Sequence, residues 1–138
     1  MKTYLSLGAN LGAREATINQ AVYLITQRAG TLIQRSAFFY SKPWGFQSEY
    51  EFCNLCISIE THLSPLELLH TLQRIEITLG RNRQETHAIG KRLYEDRPID
   101  IDIIIYEGVT MNTPELTLPH PLYQQRNFVL IPLKELLT

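Results

Sequence analysis

Arg97-Pro98-Ile99-Asp100-Ile101-Asp102-Ile103-Ile104-Ile105 is the stretch of this chain whose residue types and spacing best suit chemistry. Alternation with β-branched residues predicts a strand, in which successive side chains leave opposite faces. Ile99, Ile101 and Ile103 then turn into a core, while Asp100 and Asp102 turn together to the other, open face. Two residues apart, their Cα atoms stand roughly 6.5 Å from each other. Carboxylates held that close on a stiff strand repel unless a cation lies between them. Mg²⁺ suits the place, because it takes oxygen ligands and keeps substrate phosphates in its shell. An isolated Asp-x-Asp more often describes a solvated strand face, so the neighbours must decide.

Five of the thirteen basic residues fall between positions 81 and 97: Arg81, Arg83, Lys91, Arg92 and Arg97. Paired carboxylates opposite mobile arginines are what transfer from a nucleoside triphosphate requires. Metal neutralises the phosphates, and guanidinium groups stabilise the charge that develops. Singly, each arginine also fits a solvated loop. No Gly-x-x-x-x-Gly-Lys-Ser/Thr run occurs, which excludes a P-loop. A second cluster suits a flat heteroaromatic ligand. Asn54 carries an acceptor and two donors in one plane, matching the edge of an aminopyrimidinone. Phe52, Trp44, Tyr94 and Phe128 are either its stacking partners or ordinary core. His120, held between Pro119 and Pro121, is presented rigidly, to a phosphate or as the cap of a turn.

The elements that must position these groups are legible in outline. Lys2–Leu7 alternates as a strand and runs into the turn Gly8-Ala9-Asn10-Leu11-Gly12. Apolar residues at helical spacing predict a helix over Arg14–Ala29, with Gly30 as its C′ stop. Thr31–Tyr40 reads as one strand, and a loop runs from Lys42 to about Glu51. Phe52–Glu60 reads as another strand, with Phe52, Asn54 and Cys56 on one face. Ser64-Pro65-Leu66-Glu67 is a capping box with proline at the first helical position. The helix it opens buries Leu68, Leu69, Leu72, Ile75 and Leu79 and stops at Gly80. From Arg81 to Pro98 there is no periodicity, as in a lid or binding loop. Ile99–Tyr106 is the last long strand, and Glu107-Gly108 turns it into a hairpin with Val109–Met111. An apolar end follows over Phe128–Leu137, interrupted by Pro132. The order predicts an α+β fold, a ferredoxin-like βαββαβ antiparallel sheet with helices packed on it.

At 138 residues and 44% hydrophobic, the chain suits one domain, 1–138, with a core of its own. A net charge of −1 gives no basic field for nucleic acid, and no apolar run reaches the ~20 residues of a membrane span. Cys53 and Cys56, three apart in a strand, point to opposite faces and read as reduced, partly buried thiols. The expected setting is therefore cytoplasmic, with small molecules as partners, no nucleic acid and no membrane.

Taken together, Gly8-Ala9-Asn10-Leu11-Gly12, Trp44-Gly45-Phe46, Phe52-x-Asn54, Gln73-x-x-Glu76-x-x-x-Gly80-Arg81-x-Arg83, Asp96-Arg97-Pro98-Ile99-Asp100-Ile101-Asp102 and Pro119-His120-x-x-x-x-x-Arg126-x-Phe128 form an ordered set over nearly the whole chain. In it the chain resembles the 6-hydroxymethyl-7,8-dihydropterin pyrophosphokinases of folate biosynthesis. The resemblance implies transfer of diphosphate from ATP to the pterin hydroxymethyl group, with AMP released. It implies that Asp100 and Asp102 hold two Mg²⁺ ions and that Arg81, Arg97 and Asp100 are catalytic. It assigns ATP to Gln73, Arg83, Ile103, His120 and Arg126, and the pterin to Ser41, Lys42, Trp44, Phe52, Asn54, Tyr94 and Phe128. Glu76 supports the site, by fixing an arginine. Tyr94 takes the place where many members carry a stacking tryptophan, and the segment from Arg83 to Arg97 is several residues longer than in common forms. Pro121 replaces an aromatic, and the chain reads as a short form acting as a monomer. Two other readings share part of this evidence. A nucleotidyltransferase or phosphodiesterase needs the two aspartates but not the Asn54 cluster. A ferredoxin-like regulatory or RNA-binding module needs neither, and its sheet is normally basic and aromatic.

Overall fold

The strand that organises the molecule is β1, Lys2–Ala9, paired on both sides. The structure, a computed structural model, describes residues 1–42, 51–80 and 98–137. After β1 come α1 (Arg14–Arg28), β2 (Thr31–Arg35), β3 (Phe39–Ser41), β4 (Phe52–Glu60), α2 (Pro65–Thr78) and β5 (Asp100–Tyr106). The short strands β6 (Met111–Asn112) and β7 (Thr117–Leu118) follow, then a 3₁₀ turn over Tyr123–Gln125 and a last helix, α3 (Asn127–Leu137). The main sheet runs β2-β4-β1-β5, antiparallel throughout, with β3 also paired to β4. This is the expected ferredoxin-like order.

Alternation divides the sheet into two unlike faces. Leu5, Leu7, Leu55, Ile57, Ile59, Ile101 and Ile103 point to one side and meet Ile18, Ile25, Leu68, Leu72 and Ile75 of α1 and α2. Each such side chain fully buried contributes about 1.5–3 kcal/mol, so this face supplies most of the stability. The other face is only half covered. There α3 seats Val129, Leu133 and Leu136 on Tyr4, Cys56 and Ile104. The remaining half carries Gly8, Asn54, Asp100 and Asp102.

Four expectations are corrected. First, β1 extends through Gly8 and Ala9, which pair with β4, so the glycine belongs to the sheet and the turn starts later. Second, the strand expected over Thr31–Tyr40 breaks. Ser36 N–H donates to Cys56 O at 2.9 Å, and Ser36 Oγ accepts from Cys56 N–H at 2.9 Å. A side chain thus takes a backbone position in the ladder and splits β2 from β3. Third, Gly108 does turn the chain, at φ +80°, but Met111–Asn112 pairs with β7 and not with β5. Fourth, Gly30 follows the cap residue Ala29 as the expected stop of α1, but without a left-handed φ. A Cβ there would lie 2.3 Å from Glu60 O, so close approach to β4 requires the glycine. The apolar end is one helix that continues through Pro132. Cys53 and Cys56 lie in the two opposite cores as unbridged thiols.

Candidate active site

The helix α2 owes its start to the capping box expected from the sequence. Glu67 N–H donates to Ser64 Oγ at 3.3 Å, and Ser64 N–H donates to the Glu67 carboxylate at 2.9 Å. Leu69, Gln73 and Glu76, spaced to share one helix face, line a cleft of about 220 Å³ beside the edge strand β5. Glu76 is only 1% exposed, unusual for a carboxylate. Its Oε2 accepts the Ile101 N–H at 2.8 Å, satisfying an edge donor between the two aspartates. Glu76 therefore supports the site through β5.

Asp100, Asp102 and Ile103 line the same cleft, as do His120 and Arg126. Both aspartates are half-buried and share a face, opposite Gly8 and Ser6 of β1. Among the described residues no group of three or more His, Cys, Asp or Glu side chains could hold a metal. Two carboxylates nevertheless fit Mg²⁺, which commonly takes one or two and completes its shell with phosphate oxygens and water. His120 is positioned by its own backbone, whose N–H donates to Ile104 O of β5 at 2.8 Å. Leu122 N–H donates to His120 Nδ1 at 3.3 Å, which in a neutral ring leaves the proton on Nε2. Of the two readings of His120, the turn-capping one is met by Nδ1. Arg126, 3% exposed, holds its guanidinium 5.9 Å above the Phe128 ring.

On the sheet itself, Asn54 pairs across β1 with Gly8, which pairs with Asp100 on its other side. Asn54 and Asp100 are thus two strand spacings apart, about 10 Å. A Cβ on Gly8 would sit 2.2 Å from Asn54 Nδ2, so the amide lies over the glycine. Asn54 is 4% exposed, and its Oδ1 meets no donor among the described residues. The same is true of Ser41 Oγ, on β3, whose Cα partner is Phe52. Buried polar atoms are normally paired, so two orphans on one patch mark a polar ligand's place. Lys42 follows at the exposed end of β3.

Trp44, Arg81, Arg83, Lys91, Arg92, Tyr94 and Arg97 lie outside the described residues, as does the lid expected from Arg81 to Pro98 apart from Pro98 itself. The sequence reading missed Gly8, assigned to a turn, and the far wall of the cleft. That wall is Thr113, Pro114, Leu116 and Thr117, around the β6–β7 turn. Thr113 Oγ1 closes the turn, accepting Leu116 N–H at 3.0 Å. A Thr-Pro pair is a turn signal that could have been read.

A family model described as 7,8-dihydro-6-hydroxymethylpterin-pyrophosphokinase (HPPK) matches residues 4–138. A 2-amino-4-hydroxy-6-hydroxymethyldihydropteridine pyrophosphokinase of Porphyromonas gingivalis is 41% identical over 133 residues, 96% of this chain and 88% of its own. One of Bacillus subtilis is 36% identical over 134 residues, 96% of this chain and 76% of its own. Among solved structures, a Plasmodium falciparum HPPK-DHPS superposes with a TM-score of 0.69 at 15% identity. That likeness covers 96% of this chain and 40% of the longer one, and it shows the fold. The family match runs through the aspartate strand, Asn54 and the cleft alike, and the chain belongs to the 7,8-dihydro-6-hydroxymethylpterin-pyrophosphokinase family.

Proposed function

We propose the following division of labour for the diphosphokinase reaction of this family, in which diphosphate passes from ATP to 6-hydroxymethyl-7,8-dihydropterin during folate biosynthesis. ATP occupies the cleft between α2 and the β6–β7 turn, held by Gln73, Arg83, Ile103, His120 and Arg126. The pterin lies on the uncovered half of the sheet over Gly8. Asn54 reads its edge, Ser41, Lys42 and Trp44 hold its rim, and Phe52, Tyr94 and Phe128 pack its faces. The carrying observation is the buried Asn54 Oδ1, which meets no donor among the described residues, two strands from Asp100. A bicyclic ring anchored there points its hydroxymethyl group at the aspartates.

The hydroxymethyl oxygen attacks the β-phosphorus of ATP, forming a new O–P bond. The bond from that phosphorus to the oxygen on the α-phosphate breaks, and AMP leaves. Asp100, beside the hydroxyl, accepts its proton. Asp100 and Asp102 hold two Mg²⁺ ions, which supply charge neutralisation and polarisation of the phosphates when bound. Arg81 and Arg97 stabilise charge that grows on the transferred and leaving groups. The domain acts as a monomer in the cytoplasm, a setting supported by its two buried free thiols.

The test is incubation with ATP labelled in the adenine, Mg²⁺ and the hydroxymethyl dihydropterin. AMP with pterin diphosphate is the expected outcome. ADP would mark transfer of a single phosphoryl group and overturn this reading.

A further inference from the structure

We propose that Arg14 and Glu15, in the first turn of α1, are positioning residues for the pterin side of the site. They tie together the two chain ends, Tyr40 and Glu51, that flank residues 43–50. The Tyr40 hydroxyl donates to Glu15 Oε2 at 2.7 Å. Arg14 donates to the Glu51 carbonyl at 2.6 Å, and its guanidinium lies 5.5 Å over the Tyr40 ring. Two adjacent residues of one helix turn thus grip both ends of the connection between β3 and β4. The proposal rests on the pterin reading given above.

The hold on Tyr40 matters because of what stands next to it. In a strand, Tyr40 and Ser41 leave opposite faces. Tyr40 reaches down to α1, and Ser41 presents on the patch shared with Asn54 a buried Oγ that meets no partner among the described residues. Three residues long, β3 pairs with β4 alone among the described residues. So short an edge has little ladder to fix its pleat, and the Tyr40 bond supplies a second anchor. On the other side, Glu51 directly precedes Phe52, the Cα partner of Ser41. Arg14 therefore restrains the opposite rim of the same patch. The Glu15 bond pushes the Tyr40 phenol up to about 12, and the same contact holds Glu15 below the usual carboxylate range. Each group keeps at neutral pH the form the bond needs. Neither Arg14 nor Glu15 lies among the residues that line the nucleotide cleft, so the effect should be confined to the pterin.

The experiment compares Tyr40→Phe, Glu15→Ala and Arg14→Ala with the parent enzyme, using steady-state kinetics and calorimetric titration of hydroxymethyl dihydropterin in the presence of an ATP analogue. Each should raise the pterin KM about three- to tenfold, the effect of losing one hydrogen bond. ATP KM and kcat should stay within about twofold. Glu15→Gln keeps an acceptor for the phenol and should restore parental behaviour. An unchanged pterin KM in all three variants overturns the proposal. So does an equal loss in kcat and both KM values, the signature of general loosening. Asn54→Ala separates this failure from failure of the pocket reading. If Asn54→Ala weakens pterin binding while the three variants do not, only the tether falls. If Asn54→Ala also binds pterin normally, the pocket reading fails.

Discussion

A missing methyl group shapes the centre of the site. With a Cβ at position 8, the Asn54 amide would have to leave its place, since the contact would be 2.2 Å. Gly8→Ala should therefore cut pterin affinity at least tenfold and cost about 1–3 kcal/mol in overpacking, leaving nucleotide affinity as it was. Pterin and ATP-analogue titrations on the same variant check this. Asp100→Asn and Asp102→Asn should each lose most turnover yet melt no lower than the parent without Mg²⁺, because removing one of two neighbouring like charges relieves repulsion. A melting point several degrees lower would make the pair structural. The thiols give a pH-dependent case. Burial pushes Cys56 up to about 12 from the usual 9.0, and burial likewise raises Cys53. Both folded values exceed the unfolded ones, so the contribution to stability is whole below about pH 9 and falls as pH rises toward 12. Urea unfolding at pH 7, 9 and 10 should show the decline. A disulfide reagent at pH 8 should label two thiols in urea and essentially none in the folded protein.

At the scale of elements, the parts legible in the sequence are those whose local signals agree with their tertiary surroundings. The capping box of α2 is one: Ser64, Pro65 and Glu67 specify the start without help from the rest of the fold. Ser64→Ala should lower stability by about 1 kcal/mol in denaturant titration and leave kcat unchanged, since Gln73 and Glu76 sit turns away. The alternation that marked Asp100 and Asp102 is another. Where the reading failed, a long-range contact had overruled a local pattern. Nothing near Ser36 announces that its hydroxyl will replace a backbone group opposite Cys56. The sequence from Gly8 looks like a turn because glycine disfavours strands, yet β4 and β5 hold it in the sheet from both sides. Two-residue strands such as β6 and β7 carry no period at all, so only the Thr113-Pro114 turn signal pointed to the far wall of the cleft. The residue types of the proposed pterin patch and of the aspartate pair were legible in the sequence. Their adjacency across Gly8 needed the register.

The whole molecule separates stability from function by face, and this division can be tested directly. The face under α1 and α2 is a large, continuous core with no site residue except those at its β5 edge. The opposite face is shared between the small cluster under α3 and the proposed pterin patch. Phe128 stands in the first turn of α3 and packs against that cluster, and Arg126 stands just before it. The small cluster therefore fixes the helix that presents two proposed pterin and nucleotide residues, while the large one holds the sheet together with α1 and α2. Leu133→Ala and Ile25→Ala both delete a fully buried side chain, one from each face. Each should cost about 2–5 kcal/mol in denaturant unfolding, since cavity formation is indifferent to function. Their effects on binding should part. Leu133→Ala frees α3 to shift on the sheet and should weaken pterin binding several-fold at temperatures where the variant is still folded. Ile25→Ala, matched in stability loss, should bind pterin as the parent does. Equal pterin affinity in the two variants would mean that Phe128 is held by its own turn and not by the cluster beneath the helix.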